Sequence, residues 1–451
     1  MPRIEEADYT ARHAACTVRP LPLLLLLFAL AGALPWAGAA ASAASDPAGS
    51  TAPSTSQSSS QADFIDTALS SLRTLPFIPV PEISTAPYSG VDVGLIPVVL
   101  KETTNGEIDQ ILAPDIYHSS YFGWGATFRL FRYPSADEQW SVVAGTEQRV
   151  QRTFDAEWDH GLLRNTPWSW TLHAMYDRSG TGIFYGLGNS STLKGQSNYI
   201  DSQGRLEATA ERNLSHRMQI AYLARFSTVT IEQGALPGLP YTATLYPSLN
   251  GLGYTREFHQ RLTVTYDSRD SVEMPHQGVR LAAFAGASTH VLDSGVAYTA
   301  IGFDATKFQP FGNRLTLVAH GALRYMPTYQ GAPFWDLSSL GGDRSIIGET
   351  QPLRGYGYDR FVGRNSMAAS IELRDRVADL HMMDSNIQFE LAPFLDTGKV
   401  FSAMAGDPFA HLHAAGGMGF RLVAPPFIVG YVDIGVGSEG PAVFTGINYP
   451  F

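Results

Sequence analysis

From about Tyr88 onward the chain alternates apolar and polar residues, in runs separated by clusters of Gly, Asn, Asp, Ser and Pro. Phe122, Trp124, Ala126, Phe128 and Leu130 interleave with Gly123, Gly125, Thr127 and Arg129. Trp168, Trp170, Leu172, Ala174 and Tyr176 interleave with Ser169, Thr171, His173 and Asp177. Met218, Ile220, Tyr222, Ala224 and Phe226 stand opposite Gln219, Arg225 and Ser227. Leu315, Leu317, Ala319, Leu323 and Tyr325 stand opposite Arg314, Thr316, His320 and Arg324. Successive side chains of a strand point to opposite faces, so each run predicts a strand with one apolar and one polar face. A soluble sandwich would alternate too. Two features favour a membrane: the apolar faces begin or end on Trp, Tyr or Phe, as interfacial girdles require, and the charges fall on the opposite face, where a lumen would hold them. The fold class is therefore all-β, a transmembrane antiparallel β-barrel. Over Tyr88 to Phe451, sixteen strands would leave about 23 residues per strand with its connection; fourteen or eighteen fit nearly as well.

Composition supports this reading by exclusion. Only 16% of the 451 residues are charged, against about 25% in an average soluble protein. The chain is rich in Gly (43), and its aromatic content (11%) excludes disorder over most of its length. Mean hydropathy is −0.06, as expected when an apolar outside and a charged inside are averaged. A single Cys excludes a disulfide scaffold, and a net charge of −11 argues against nucleic acid as a partner.

The amino terminus reads as an address. An apolar run from Leu21 to Leu30 follows Arg12 and Arg19, and small residues from Ala37 to Ala44 offer several A-x-A cleavage sites. That is the pattern of a secretory signal peptide, residues 1–43. A membrane anchor over Leu21 to Ala44 is the competing reading, weakened by Pro22 and Pro35. Cleavage removes Cys16. Residues 44–87 read as a flexible linker, with Ile65, Ala68, Leu69 and Leu72 at helical spacing within Asp63 to Leu75. Residues 88–451 are left for the barrel.

Three segments are more specific than alternation: Tyr-Asp-Ser-Arg-Asp from Tyr266 to Asp270; a stretch from Leu340 containing Leu-Gly-Gly-Asp-Arg, Leu353-Arg354-Gly355-Tyr356 and Arg360-Phe361-Val362-Gly363; and Phe394-Leu395-Asp396-Thr397-Gly398, an F-x-D-x-G pattern. The chain ends on Phe451, preceded at two-residue steps by Tyr449 and Ile447. In order and spacing these resemble the bacterial surface antigen superfamily of sixteen-stranded outer-membrane barrels, which includes BamA, TamA and the two-partner secretion transporters. The likeness is strongest from about Gly253 to Phe451. It implies that the aromatic terminus acts as an insertion signal. It also implies that the sixth outer loop folds into the lumen and that its Arg, here Arg354, contacts the Asp of the F-x-D-x-G strand, here Asp396. The residues make the pairing plausible independently: Asp396 shares a strand face with Phe394 and Gly398, and a partly desolvated Arg suits a bidentate carboxylate. Glu372 is a candidate second acceptor, and Gly355 is expected to allow a tight turn beside the wall. Asp267, Arg269 and Asp270 read as the brace of a turn marked by Pro275 and Gly278. The sequence departs from the family in one respect. Members that assemble or export proteins carry POTRA modules before the barrel, and no such module fits between the signal peptide and Tyr88.

No G-x-S-x-G elbow and no G-x-x-x-x-G-K-[ST] loop occurs, and the chain reads as non-enzymatic. His411 and His413 share a strand face but have no acidic partner at useful spacing, so neither metal nor cofactor is expected. The first functional expectation is a barrel that assists assembly or transport of polypeptides, or lipids, at the outer membrane. The second is a passive pore or structural surface antigen. The third is an anchor for a separate periplasmic protein, bound through Asp63 to Leu75. Outer-membrane lipids and lipopolysaccharide are expected around the barrel.

Overall fold

A computed structural model describes residues 78–447, except 87–89, 103–107, 273, 383–384, 404–406, 408 and 425–427. The signal peptide, Cys16, the segment Asp63 to Leu75, and the terminal Tyr449 and Phe451 lie outside the described residues.

The chain enters a single large antiparallel sheet through a hairpin of β1 (Ile78–Ala86) and β2 (Gly90–Glu102). Next come β3 (Ile108–Leu112) and β4 (Asp115–Ser119), which both pair with β2 on one side and with β5 (Gly123–Ser135) on the other. They are two pieces of one strand. The register places Pro97 of β2 opposite Pro114, and two residues without N–H groups cannot make a ladder bond, so the strand breaks there. The wall continues through β6 (Glu138–Glu147), β7 (Arg152–His160), β8 (Trp168–Phe184), β9 (Ser197–Asn213), β10 (Met218–Gln233), β11 (Gly253–Asp267), β12 (Gly278–Ser288), β13 (Ala297–Phe311) and β14 (Leu315–Gly331). Each is antiparallel to its predecessor. The chain then leaves the wall and forms a small sheet of its own, β15 (Ser338–Leu340), β16 (Thr350–Gln351) and β17 (Phe361–Gly363). It returns through β18 (Asn365–Met382), β19 (Ser385–Phe401), β20 (His413–Ala424), β21 (Ile428–Gly437) and β22 (Gly440–Ile447).

Among the described residues the large sheet has 19 strands, and taking β3 and β4 as one leaves eighteen positions. That is two more than the sixteen expected from length. The surplus is the hairpin of β1 and β2, which begins within the stretch read from the sequence as linker. Tight connections, such as residues 136–137 between β5 and β6 and 312–314 between β13 and β14, leave room for it. Among the described residues β1 pairs only with β2, and β22 only with β21.

Exposure follows the alternation, with the usual order inverted. On β8, Trp168, Trp170, Leu172 and Tyr176 are 43–49% exposed, whereas Ser169, Thr171, His173 and Asp177 are 1–4% exposed. On β9, Asp201, Gln203, Arg205, Glu207, Thr209 and Glu211 are all buried, and Leu206 faces outward. An apolar belt of this extent outside and a charged interior suit a barrel wall in lipid, not a soluble sandwich. Where the long loop between β14 and β18 enters, the inner face turns apolar. Leu340, Leu353, Tyr356 and Phe361 of the loop pack there against Ala368, Val400 and Ala415 of the wall.

Candidate functional site

The loop is shaped before it meets the wall. Gly341 and Gly342 adopt φ of 130° and 78°, which side-chain-bearing residues rarely tolerate, and so reverse the chain after β15. The Leu353 N–H then donates to the Gly342 carbonyl and the Gly342 N–H to that of Tyr356, both at 3.0 Å. Leu353 and Tyr356 are held in the apolar seat on either side of Arg354, whose side chain is driven toward the wall.

Arg354 is fully buried. Its Nε and Nη2 donate to Oδ2 and Oδ1 of Asp396, each at 2.8 Å, and its backbone N–H donates to Oδ2 at 3.0 Å. Nη1 donates to Glu372 Oε2 at 2.6 Å and to Asp433 Oδ2 at 3.0 Å. The guanidinium lies 3.6 Å from the centre of the Phe394 ring, a cation–π contact. Burial opposes the charge of Arg354, and Asp396, Glu372 and Asp433 more than restore it. Further cations share the acids: Arg421 Nη2 donates to Glu372 Oε2 at 3.0 Å and to Asp433 Oδ1 at 3.3 Å, and Arg374 Nε to Glu372 Oε1 at 2.8 Å. Guanidinium groups and carboxylates thus share one buried network, the condition under which such groups are tolerated.

Adjacent strands bring the acids together. Asp396 on β19 pairs with Ser370 on β18, two residues from Glu372, and Asp433 on β21 pairs with Gly419 on β20. Glycine then permits contact between the loop and wall backbones. A Cβ on Gly435 would lie 1.8 Å from the Arg354 carbonyl oxygen, and one on Gly355 would lie 2.5 Å from the Gly437 nitrogen. Gly355 is thus required for close approach. It also lies in a tight turn, in which the Tyr356 N–H donates to the Leu353 carbonyl at 3.0 Å with Arg354 and Gly355 between them, and it does so without a positive φ. Gly398 makes room for Leu340, whose Cδ1 would be 3.1 Å from an added Cβ. The Tyr356 hydroxyl accepts from the Ser438 N–H at 3.1 Å and bonds its Oγ at 3.0 Å.

Two further contacts hold the loop, and sequence reading missed both. Arg360, 1% exposed, binds both carboxylate oxygens of Glu439 in the turn between β21 and β22, and also Ser191 in the connection between β8 and β9. Asp343 accepts hydroxyl protons from Tyr358 of the loop at 2.8 Å and from Tyr431 of β21. Burial pushes the Asp343 carboxyl up to about 6, against the two tyrosine hydrogen bonds that favour its charged form.

Arg354, Asp396 and Glu372 therefore meet as the resemblance implied, with Gly355 and Tyr356 seated on β21 and Gly398 beneath the loop. Asp433, Arg421 and Arg374 were not anticipated. Their signal was alternation, since Tyr431, Asp433, Gly435 and Gly437 share one strand face. Ile447 ends β22 opposite Gly430; Tyr449 and Phe451 are not described. Asp267 binds Arg269, and Asp270 accepts the N–H groups of Ser271, His276 and Gln277, so both acids brace the turn. His413 stacks on Phe361 at 3.8 Å and bonds the Asn189 carbonyl, while His411 occupies a turn with φ of 58°, so the two are not presented as a ligand pair. Ser345, His320 and Asp304 also cluster. Serine and aspartate meet the same ring nitrogen, Nε2, whereas a proton relay needs one at each nitrogen.

A family model for the Omp85 superfamily domain matches residues 138–427. Among solved structures, BamA from Haemophilus ducreyi lacking POTRA domains 1–3 is similar at a TM-score of 0.50 and 12% identity, covering 85% of this chain and 78% of that one. CdiB from Escherichia coli is similar at a TM-score of 0.49 and 12% identity, covering 79% and 67%. No curated protein matches the sequence.

Proposed function

The chain belongs to the Omp85 superfamily, and we propose that it works in the Gram-negative outer membrane, where its barrel assists the assembly or transport of polypeptides, or of lipids. The observation that carries this reading is the buried network around Arg354, which seats a loop inside the barrel. A lumen held by such a lock suits a gated task better than open diffusion. Passage through the lumen would require the loop to lift, and lateral assembly would use the edge of β22, where an incoming strand can add by backbone pairing. The apolar belt would meet lipid and lipopolysaccharide, and export would rest on the amino-terminal signal.

A deletion strain complemented with wild type or with Arg354→Ala tests this, read by outer-membrane proteomics and lipid analysis. Loss of particular outer-membrane proteins or a changed lipid profile, restored by wild type and not by the variant, is the expected result. Unchanged profiles in the deletion strain, together with steady single-channel conductance of the purified barrel in planar bilayers, would instead identify a passive pore.

A further inference from the structure

We infer that the lumen contains a binding site for a small phosphate-type oxyanion, between the wall strands β9 to β14 and the inward loop. A cavity of about 30 Å³ opens there, lined by Arg205, Arg225, Arg261 and Arg324 from four different strands and by Trp335 of the loop. That is space for two or three water-sized centres, so the occupant has few atoms.

Two observations point to an anion. The first is donors in want of an acceptor. Arg324 is 6% exposed, and its Nε and the Trp335 indole Nε1 are both buried and without a hydrogen-bond partner. One sits on the wall and the other on the loop, both lining the same space. The second is charge. Four guanidinium groups face this region. Glu207 and Glu349 are both engaged by Arg225. Glu257 accepts from Ser288 and Tyr298. Asp336, on the loop, also lines the space, and burial and Glu257 push it well above the usual carboxylate range. Four guanidinium groups thus converge on one small space, inside a chain whose net charge is −11. An oxyanion would accept from both orphan donors and share the charge of the guanidinium groups around them.

Bound there, the ion would bridge wall to loop through Arg324 and Trp335 and add a ligand-dependent hold beside the Arg354 lock. The site does not depend on whether the barrel handles polypeptides.

The test uses the full chain folded in detergent micelles. Inorganic phosphate is titrated against chloride at constant ionic strength, with tryptophan fluorescence and the thermal midpoint as readouts. A saturable response to phosphate and none to chloride is expected. Arg324→Gln should weaken the apparent affinity at least tenfold, and Trp335→Phe about threefold. Arg314→Gln, an exposed residue paired with Asp375 outside the cavity, should leave it unchanged. Glycerol 3-phosphate separates the sources: an equal response identifies a headgroup phosphate as able to fit, and a response to the inorganic ion alone identifies the free ion. Should Arg324→Gln fail to fold, phosphorus line broadening with wild type and Trp335→Phe decides the matter. A phosphate response no larger than that of chloride, or one of wild-type affinity in folded Arg324→Gln, overturns the site.

Discussion

Arg354 is a cation with no exposed surface, tied to three carboxylates. Removing it takes two side-chain donors from Asp396 and one each from Glu372 and Asp433, in a buried site. Arg354→Ala should therefore cost about 3–5 kcal/mol, the range for breaking a buried pair. The midpoint of urea unfolding, followed by the heat-modifiable band on gels, measures it. Asp433→Asn should fall in the same direction by a smaller amount, because Arg354 keeps Asp396 and Glu372. Asp343 behaves differently because its carboxyl is raised, from 3.8 to about 6. A raised folded-state value means that the protonated form is favoured in the seat. Its contribution is whole below about pH 4 and is lost as pH rises through about 6. The loss amounts to roughly 3 kcal/mol, two pH units at 1.36 kcal/mol each. Thermal midpoints between pH 4 and 7.5 should fall for wild type, and Asp343→Asn should flatten that slope.

At the scale of elements, the loop and β21 fit by leaving side chains out. Gly435→Ala would place a methyl group 1.8 Å from the Arg354 carbonyl, so the loop or the strand must shift. We expect a loss of about 1–3 kcal/mol, the range for overpacking, and cleavage by trypsin after Arg344 in the variant only, since a displaced loop exposes its basic residues. The first strand carries a different device. Pro79 lies opposite Pro97 in the hairpin, and neither has an N–H, so this pair is of the non-hydrogen-bonded kind. Pro79 and Pro81 share that phase, and both direct their missing donors to the outer edge of β1. Prolines at such positions blunt an edge against pairing. Replacing both with Val should restore two donors and raise protection of the β1 amides in hydrogen exchange. Unchanged protection would show that the edge has no strand beside it.

At the scale of the molecule, burial is inverted. Leu206 on β9 is 62% exposed, while Arg205 and Glu207 on either side of it are buried. Leu206→Arg should destabilise the barrel in vesicles by up to about 2–4 kcal/mol, according to its depth. The same substitution should have little effect in a short-chain detergent that water penetrates. Equal effects in both media would contradict a lipid-facing position.

Much of this was legible in the chain. Alternation fixed which side chains of β8 and β14 face outward, because a two-residue period leaves only two faces and lipid accepts only one kind. The partnership of Arg354 with Asp396 was legible through a resemblance rather than through local chemistry, since 42 residues separate them. Asp433, Arg421 and Arg374 lay on the correct faces, but alternation records a face and not a neighbour. Which cation meets which acid depends on strand order and register, and these are set by pairing across the whole sheet. The same limit applies to Gly355. Its sequence shows a residue without a side chain, and only the folded barrel shows that the space belongs to the backbone of Gly437. The strand count also belonged to the fold, because length bounds how many strands can exist while turns and edges decide how many form. Local pattern thus determined the class and the inward and outward faces, and the resemblance pointed to the loop; tertiary packing alone determined the lock, because a buried charge is defined by what surrounds it.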